Sequence, residues 1–547
     1  MPVRSLLAVA LVLWLGVLLA SAPSQTRSPA AKHARSPAAT FRTSEACIAC
    51  HNGLRTSSGS DVSIGSDWRG SIMANSSRDP YWQASVRRET IDHPISAAAI
   101  EDTCAVCHMP MARADADARA QKGEVFAHLP VGARTKPRDR LAHDGVSCTI
   151  CHQIAEDKLG TPESFNGGFV LGALGAPHAS VSLGPFTVDS GRAAVMQSAS
   201  DYLPLEGPHI RKSELCATCH TLYTRALGSR GETIGQLPEQ MTFLEWRHSA
   251  FRDDKSCQSC HMPAVREATP MASVLGTPRD GLARHVFRGG NAFMLGMLHR
   301  YRRDIGVVAQ PDELEASAQT TVELLKAETA TVAIARAERS GDQLMIDVVV
   351  QNLTGHKLPT GFPSRRAWLH VTVRDRAGRV VFESGAPAAD GRIEGNDNDA
   401  DPRRYEPHYA EIRRPDEVAI YESIIGDAAG NVTTGVLTGT RYLKDNRLLP
   451  RGFDKVSAAA DIAVVGAASE DADFGEGGDR VRYVADVTSG DAPFQVDVAL
   501  RFQTIGFRWA HNLDQYESME TKRFVGYYNA MAAESGIVLA SSSATIR

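Results

Sequence analysis

Beyond its first twenty residues the chain has no segment apolar enough to cross a bilayer, for which about 20 residues are needed. An excess of one charge is also missing. Lys and Arg number 59 against 64 Asp and Glu, a net charge of −5, which excludes the basic surface that nucleic acid or an anionic membrane requires. Aromatic residues are few, at 6%. Over residues 41–304 long alternating apolar runs are absent, which excludes a sheet as the main content there. No cysteine is left for a structural disulfide, because all ten lie in one repeated pattern. What is present is an ordinary apolar fraction, 43% of 547 residues, enough for two or three domains.

The first residues read as an export signal. Met1-Pro2-Val3-Arg4 gives a positive start, Leu6 to Ala20 is an unbroken apolar run, and Ala20-Ser21-Ala22 offers small residues for cleavage. Residues 1–22 are thus expected to be removed, leaving a periplasmic or extracellular chain with no membrane span. Residues 23–40, rich in Ser, Pro and Ala, read as a flexible leader.

Residues 41–305 carry all ten cysteines, and their dense punctuation predicts short helices and loops. Asn291 to Arg303 places Phe293, Met294, Met297, Leu298 and Tyr301 on one helical face. A linker helix is expected within 306–328, around Pro311 to Lys326. From 329 to 547 the pattern changes to period two. Strands are expected at 331–335 and 344–350 about the turn Ser340-Gly341-Asp342, then at 367–373, 418–425, 481–487 and 494–502. In the last, Phe494, Val496, Val498, Leu500 and Phe502 alternate with mostly polar residues, giving one buried and one wet face. A helix from about Leu513 to Ala532 is expected to close the chain.

The repeated pattern is Cys-x-x-Cys-His. It occurs at Cys47, Cys50 and His51, at Cys104, Cys107 and His108, and at Cys148, Cys151 and His152. It returns at Cys216, Cys219 and His220 and at Cys257, Cys260 and His261. Two intervening residues make one turn, so both thiols reach one edge of a porphyrin while the next imidazole comes under its iron. Zinc also takes Cys and His, but zinc sites need paired half-sites and the motifs are odd in number. The expectation is five covalently bound haem c groups, with the five motif histidines as proximal iron ligands. Five macrocycles in about 260 residues must pack closely, which makes a path for electron transfer. The chain is therefore expected to be α+β: a mainly α-helical and loop pentahaem domain followed by an antiparallel β-sandwich-like domain.

Each iron needs a sixth ligand or an open position. His93, His128, His143, His178, His209, His248, His285 and His299 lie in the same region, and His33 lies in the leader. His209, after Pro208, and His285, near Gly289-Gly290, sit in rigid settings suited to distal ligation. His143, His93 and His128 follow as distal candidates, and Met73 is a candidate thioether ligand. His248, His178 and His299 read as surface or packing residues. Most irons are expected to be bis-histidine, the state that suits electron transfer.

On Trp68-Arg-Gly-Ser-Ile-Met73, Cys104-Ala-Val-Cys-His-Met-Pro110, Asp144-Gly-Val-Ser-Cys-Thr-Ile-Cys-His152 and Cys257-Gln-Ser-Cys-His-Met-Pro263, residues 41–300 resemble multihaem cytochromes of the cytochrome c-552/c-554 type. That group is related to hydroxylamine oxidoreductases and nitrite reductases. The resemblance implies paired haem stacks and mostly bis-histidine iron. Pentahaem nitrite reductases use Cys-x-x-Cys-Lys at the catalytic iron, whereas every motif here ends in His, and no tyrosine crosslink of the hydroxylamine oxidoreductase sort can be matched. Both departures favour an electron carrier over a catalyst. The redox partners expected are other cytochromes or a membrane quinol-oxidising module. The alternatives are an oxidoreductase acting on a small nitrogen or sulfur compound at one open haem, and a structural role in a cytochrome complex.

Two loops of the second half carry further expectations. Thr354 to Arg366 holds His356, Lys357, Arg365 and Arg366, and its arginines could meet haem propionates on docking; the alternative is a solvated surface loop. Asp397, Asp399 and Asp401, with Glu406 beyond, offer oxygen ligands for calcium, against the plainer reading of a solvated acidic turn.

Overall fold

Local chemistry sets most of the element boundaries. The helix Pro80–Asp92 begins where Asp79 accepts hydrogen bonds from Tyr81 N and Trp82 N, with Pro80 at the first helical position. The helix Pro311–Ala327 opens on a capping box between Gln310 and Glu313. Strands β1 (Ala330–Ser340) and β2 (Gln343–Asn352) form a hairpin whose two-residue loop starts at Gly341, with φ of +61°. The computed structural model describes residues 41–132, 136–172 and 180–547. The expected signal and leader, with His33, and also His178, lie outside the described residues.

The chain is α+β. Its strand-rich part holds a small three-stranded sheet (Val432–Thr433, Ser423–Gly426, Arg441–Asp445) and two larger sheets that pack on each other. One has the order β4 (Val380–Ser384), β3 (Arg366–Arg374), β6 (Phe494–Gln503), β7 (Gly536–Ile546), antiparallel throughout, with Ile420–Tyr421 also on β3. The other runs Glu411–Ile412, β5 (Gly478–Asp486), β2, β1. Their inner faces meet in one apolar cluster that includes Leu344, Ile346, Val371, Val481, Val496 and Leu500. The alternation of β6 is complete from Phe494 to Phe502, apolar side chains buried and the others half-exposed.

Residues 41–305 hold short helices, as expected, and also three two-stranded pairs: Ser180–Gly184 with Tyr202–Glu206, Leu222–Leu227 with Thr233–Gln240, and Thr269–Pro270 with Pro278–Arg279. The largest apolar cluster whose buried residues all lie in this region joins Trp82, Val86, Ile100, Ala105, Met109, Ala112, Val125 and Ala142; smaller ones join Leu54, Val62 and Leu282, and Phe165, Ala217 and Phe243. A larger cluster is shared with the carboxy-terminal helix Met519–Met531, where Tyr81, Phe293, Met297 and Leu298 pack with Phe524 and Tyr528. Ion pairs follow the same seam, Arg87 with Glu520 at 3.0 Å and Arg69 with Glu313 at 2.5 Å. The described residues make one compact unit. Among the described residues no helix is long and apolar enough to cross a membrane.

The closing element differs from expectation. The carboxy-terminal helix starts at Met519, where Ser518 caps it, and the chain ends on strand β7. Burial along β7 is weak and broken by Ser541, Ser542 and Ser543, so its pairing with β6 leaves little periodic signal.

Candidate functional site

Four of the five cysteine motifs end a helix or helical turn (Ala97–His108, Cys148–Cys151, Ser213–His220, Cys257–His261). The first motif departs from that pattern. Cys47 sits on the turn Glu45–Ile48, but Cys50 lies beyond its end, and the Cys50 carbonyl accepts from Ser273 N at 2.8 Å and Ser273 Oγ at 3.0 Å. Contacts from a distant loop thus hold Cys50, where a continuing helix holds the second cysteine of the other motifs.

None of the ten cysteines forms a disulfide, and each residue, Cys50 among them, is partly accessible. Burial nevertheless pushes the Cys151 thiol up to about 12. Thiols hemmed in by protein yet still open on one side mark gaps between the helices. Thiols of different motifs meet across these gaps: Cys47 with Cys148, Cys107 with Cys219, and Cys216 with Cys257. Cys151 lies within electrostatic reach of Cys219 and Cys216.

Four of the five motif histidines are oriented by the backbone. Nδ1–H donates to Met271 O from His51 at 2.6 Å, to Leu183 O from His152 at 2.6 Å, to Arg288 O from His261 at 2.6 Å, and to Ser76 O from His108 at 3.1 Å. Trp82 stacks on His108 with ring centroids 4.4 Å apart and planes 3° from parallel. A fixed Nδ1–H leaves Nε2 as the lone-pair nitrogen, which is how metal-binding imidazoles are held. Burial pulls His108 and His220 down to about 4 and also lowers His152 and His261, so these imidazoles are neutral at pH 7, as a metal ligand must be.

Two histidine pairs face each other. His152 and His285 lie with ring centroids 6.4 Å apart and planes 19° from parallel. His261 and His356 lie 6.3 Å apart at 14°. Two metal–nitrogen bonds of about 2 Å each, together with the half-widths of the two rings, account for that separation. Direct ring contact would be closer. The partners are held in the same way, His285 Nδ1 on Ala283 O at 2.9 Å and His356 Nδ1 on Lys357 O at 3.0 Å. These residues fit an iron bound between each pair.

The sequence setting of His285 points to a distal ligand, whereas that of His356 points only to a docking loop, since 95 residues (356 less 261) separate it from His261. The loop is no solvated surface. Lys357 is fully buried and donates to Asp445 at 2.8 Å, Arg447 holds the same carboxylate at 2.7 Å and 2.8 Å, and Glu245 accepts from Lys357 N and Thr360 Oγ1. Burial alone would raise Asp445, but Arg447 and Lys357 hold its carboxyl well below the usual range. This network fixes the loop that presents His356.

Other expected ligands are placed differently. His209 donates its Nε2–H to Ile154 O at 2.8 Å, and His143 donates Nε2–H to His128 O at 2.6 Å, which engages the nitrogen a distal ligand would use. His128 is buried and donates Nδ1–H to Asp139 at 2.7 Å. His93 keeps a buried Nε2 without a hydrogen bond, 3.9 Å from Glu89. Met73 is half-buried, its carbonyl accepting from Val146 N. His248 bonds Asp454 O and packs edge-on against Phe453, and His299 lies on the helix Ala292–Arg300.

The calcium expectation is corrected. Asp399 is buried in a two-bond pair with Arg366 at 2.8 Å and 2.9 Å, Asp401 pairs with Arg403 and Asp397 with Arg404, so the three carboxylates turn to three arginines instead of converging. The same contacts remove Arg366 from any role toward propionates. Among the described residues one cluster does bring three metal-ligating atoms within 4.8 Å, His408, Asp471 and Asp479. There Asn446, whose Nδ2 also donates to Ile420 O, donates to His408 Nδ1. The Nε2 of His408 therefore carries the proton toward Asp471 at 3.1 Å, a hydrogen-bonded arrangement in place of a metal site.

No protein-family model and no curated protein matches the chain. Among solved structures, the crystal structure of a penta-heme cytochrome c552 from Thermochromatium tepidum matches it with a TM-score of 0.50 at 16% identity, over 92% of this chain and 99% of that one. The two share a fold. Coverage of that extent takes in most of the strand-rich second half as well as the cysteine-bearing first half.

Proposed function

We propose that this chain is an exported multihaem c-type cytochrome that passes electrons along five covalently bound haems. One observation carries the reading: within a region whose ten cysteines all fall in haem-attachment motifs, two imidazole pairs stand parallel at the separation an intervening iron requires. The fold shared with a penta-heme cytochrome supports it. Bound haem would supply the redox-active iron. The chain's own residues supply the thiols and orient four of the five motif imidazoles through backbone carbonyls, and burial keeps His108, His152, His220 and His261 neutral.

In this reading His152 and His285 bind one iron and His261 and His356 another, and His93, with its unengaged Nε2, is the next distal candidate. On this reading the order of the haems follows the thiol contacts. The first motif adjoins the third, the third adjoins the fourth, and the fourth touches both the second and the fifth. Saturated iron in a connected array suits transfer to redox partners such as other cytochromes or a membrane quinol-oxidising module.

The test is intact mass followed by spectroscopy. The mature protein is expected to exceed its apoprotein mass by five haems. His285→Ala and His356→Ala should each keep all five haems, since neither residue takes part in attachment, while converting one iron in five to a high-spin form that binds cyanide. A lower haem mass, or zinc, refutes the cofactor assignment. Wild-type low-spin spectra in both variants refute the ligand pairs.

A further inference from the structure

A five-residue pattern recurs outside the cysteine motifs, as Asp67-Trp68-Arg69-Gly70-Ser71 and as Glu245-Trp246-Arg247-His248-Ser249. Each copy runs off the end of a six-residue helix, Ile64–Arg69 or Thr242–Arg247, and the tryptophan is the fifth residue of that helix. The two turns are closed alike. Ser71 N and Oγ donate to Trp68 O at 2.9 Å and 2.7 Å, and Ser249 N and Oγ donate to Trp246 O at 3.0 Å and 2.8 Å. The arginines differ, Arg69 pairing with Glu313 and Arg247 lying over Phe243, so they are no part of the likeness.

The tryptophans reach equivalent places. Trp68 Nε1 donates to Val146 O at 2.9 Å, two residues before Cys148, and Trp246 Nε1 donates to Lys255 O at 2.9 Å, two residues before Cys257. The preceding carboxylates reach equivalent places too. Asp67 accepts from Arg284 Nε at 2.5 Å and Nη2 at 2.6 Å, and Arg284 directly precedes His285. Glu245 accepts from Lys357 N at 3.2 Å and Thr360 Oγ1 at 2.6 Å, and Lys357 directly follows His356. His285 faces His152 of the third motif, and His356 faces His261 of the fifth. Each copy thus ties both segments that supply one facing pair, the first through its carboxylate and the second through its indole. Chain length does not impose this, since Trp68 lies 80 residues (148 less 68) before its motif and Trp246 only 11 (257 less 246).

We propose that Asp67-Trp68 and Glu245-Trp246 are two copies of one positioning device, which sets the imidazole planes on the irons of the third and fifth motifs. The proposal deepens the haem reading above and rests on it. Contacts one step out from a metal ligand orient its ring, and a two-bond arginine–carboxylate pair fixes direction as well as distance. Because carboxylate and indole sit on adjacent residues of one turn, the two segments they hold keep a constant mutual angle. The facing rings of the two pairs stand at like angles, 19° and 14°. Two other tryptophans are used differently, Trp82 stacking on His108 and Trp368 donating to Gly385 O.

The experiment compares the full-length holo protein with Asp67→Ala, Trp68→Phe, Glu245→Ala and Trp246→Phe. Intact mass counts the haems, and electron paramagnetic resonance of the ferric protein reads each low-spin iron through the orientation of its axial imidazoles. All four variants are expected to keep five haems, since none of these residues supplies a thiol or a ligand. Asp67→Ala and Trp68→Phe should both shift one low-spin signal, the one lost in His285→Ala. Glu245→Ala and Trp246→Phe should both shift another, the one lost in His356→Ala. Where Glu245→Ala does not fold, Trp246→Phe, which leaves the buried charges intact, decides for that copy. A copy whose variants leave its own iron unmoved overturns the proposal, and so does a shift spread over all five irons, the mark of a general structural role. A protein without haem, or wild-type spectra in His285→Ala and His356→Ala, would instead overturn the reading beneath it.

Discussion

The two regions of this molecule solve the problem of a core in opposite ways. The strand-rich region buries one contiguous apolar cluster between two sheets, with fully enclosed Leu344, Ile346, Val350, Val373 and Phe494. The cysteine-bearing region divides its apolar residues among smaller clusters, the largest of its own joining eight buried residues about Trp82, Ile100 and Met109, and its ten cysteines stay partly accessible between short helices. A fold of the first kind is closed by its own side chains. One of the second kind depends on what fills the gaps, and a porphyrin is a large apolar group well suited to fill them.

The largest effect is expected from removing the filler. Chain produced without haem attachment should lose helical circular dichroism and become protease-sensitive within residues 41–305, while 329–547 keeps its β signature and its protection. Equal protection of the two regions would show that the gaps do not matter for folding.

The buried charge network where the regions meet should respond next. Asp445→Asn leaves Lys357 and Arg447 without their shared carboxylate, and removing one member of a buried pair costs about 3–5 kcal/mol. The measurements are denaturant unfolding and the low-spin spectrum of the iron proposed to lie between His261 and His356. A stability loss below about 1 kcal/mol with an unchanged spectrum would mean that the network is dispensable for presenting that loop.

The smallest change expected is at the cap of the helix that covers the first region. Ser518 Oγ accepts from Thr521 N at 3.2 Å, and Ser518→Ala should cost about 1 kcal/mol, with Ser518→Asp restoring most of it. No loss in the alanine variant would make the cap immaterial to the seam.

What was legible follows the same division. The hairpin about Gly341, the strand at Phe494 and the helices near 292 and 311 could be read because their periodicity and turn chemistry are local. Strand β7 escaped because its half-exposed serines break the alternation. The five motifs look alike in sequence, yet Cys50 is held by Ser273 from a distant loop, a contact no spacing announces. In the loop Thr354 to Arg366, two adjacent arginines look equivalent. Folding separates them, since Arg366 turns inward to Asp399 and Arg365 is left without a carboxylate. That one pair also explains why the acidic run at 397–401 is no cation site.

By itself the sequence pointed to the attachment chemistry proposed above, since two thiols and an imidazole at that spacing define a local geometry, and it determined the α+β character through local periodicity. Which histidine faces which was decided by the tertiary structure alone. His356 meets His261 only because a buried network of Lys357, Asp445, Arg447 and Glu245 anchors a loop from the other half of the chain. His209, in a setting just as rigid, spends its Nε2 on a backbone carbonyl. Ligation across space depends on where two distant backbones are held to within fractions of an ångström, and no local pattern encodes that.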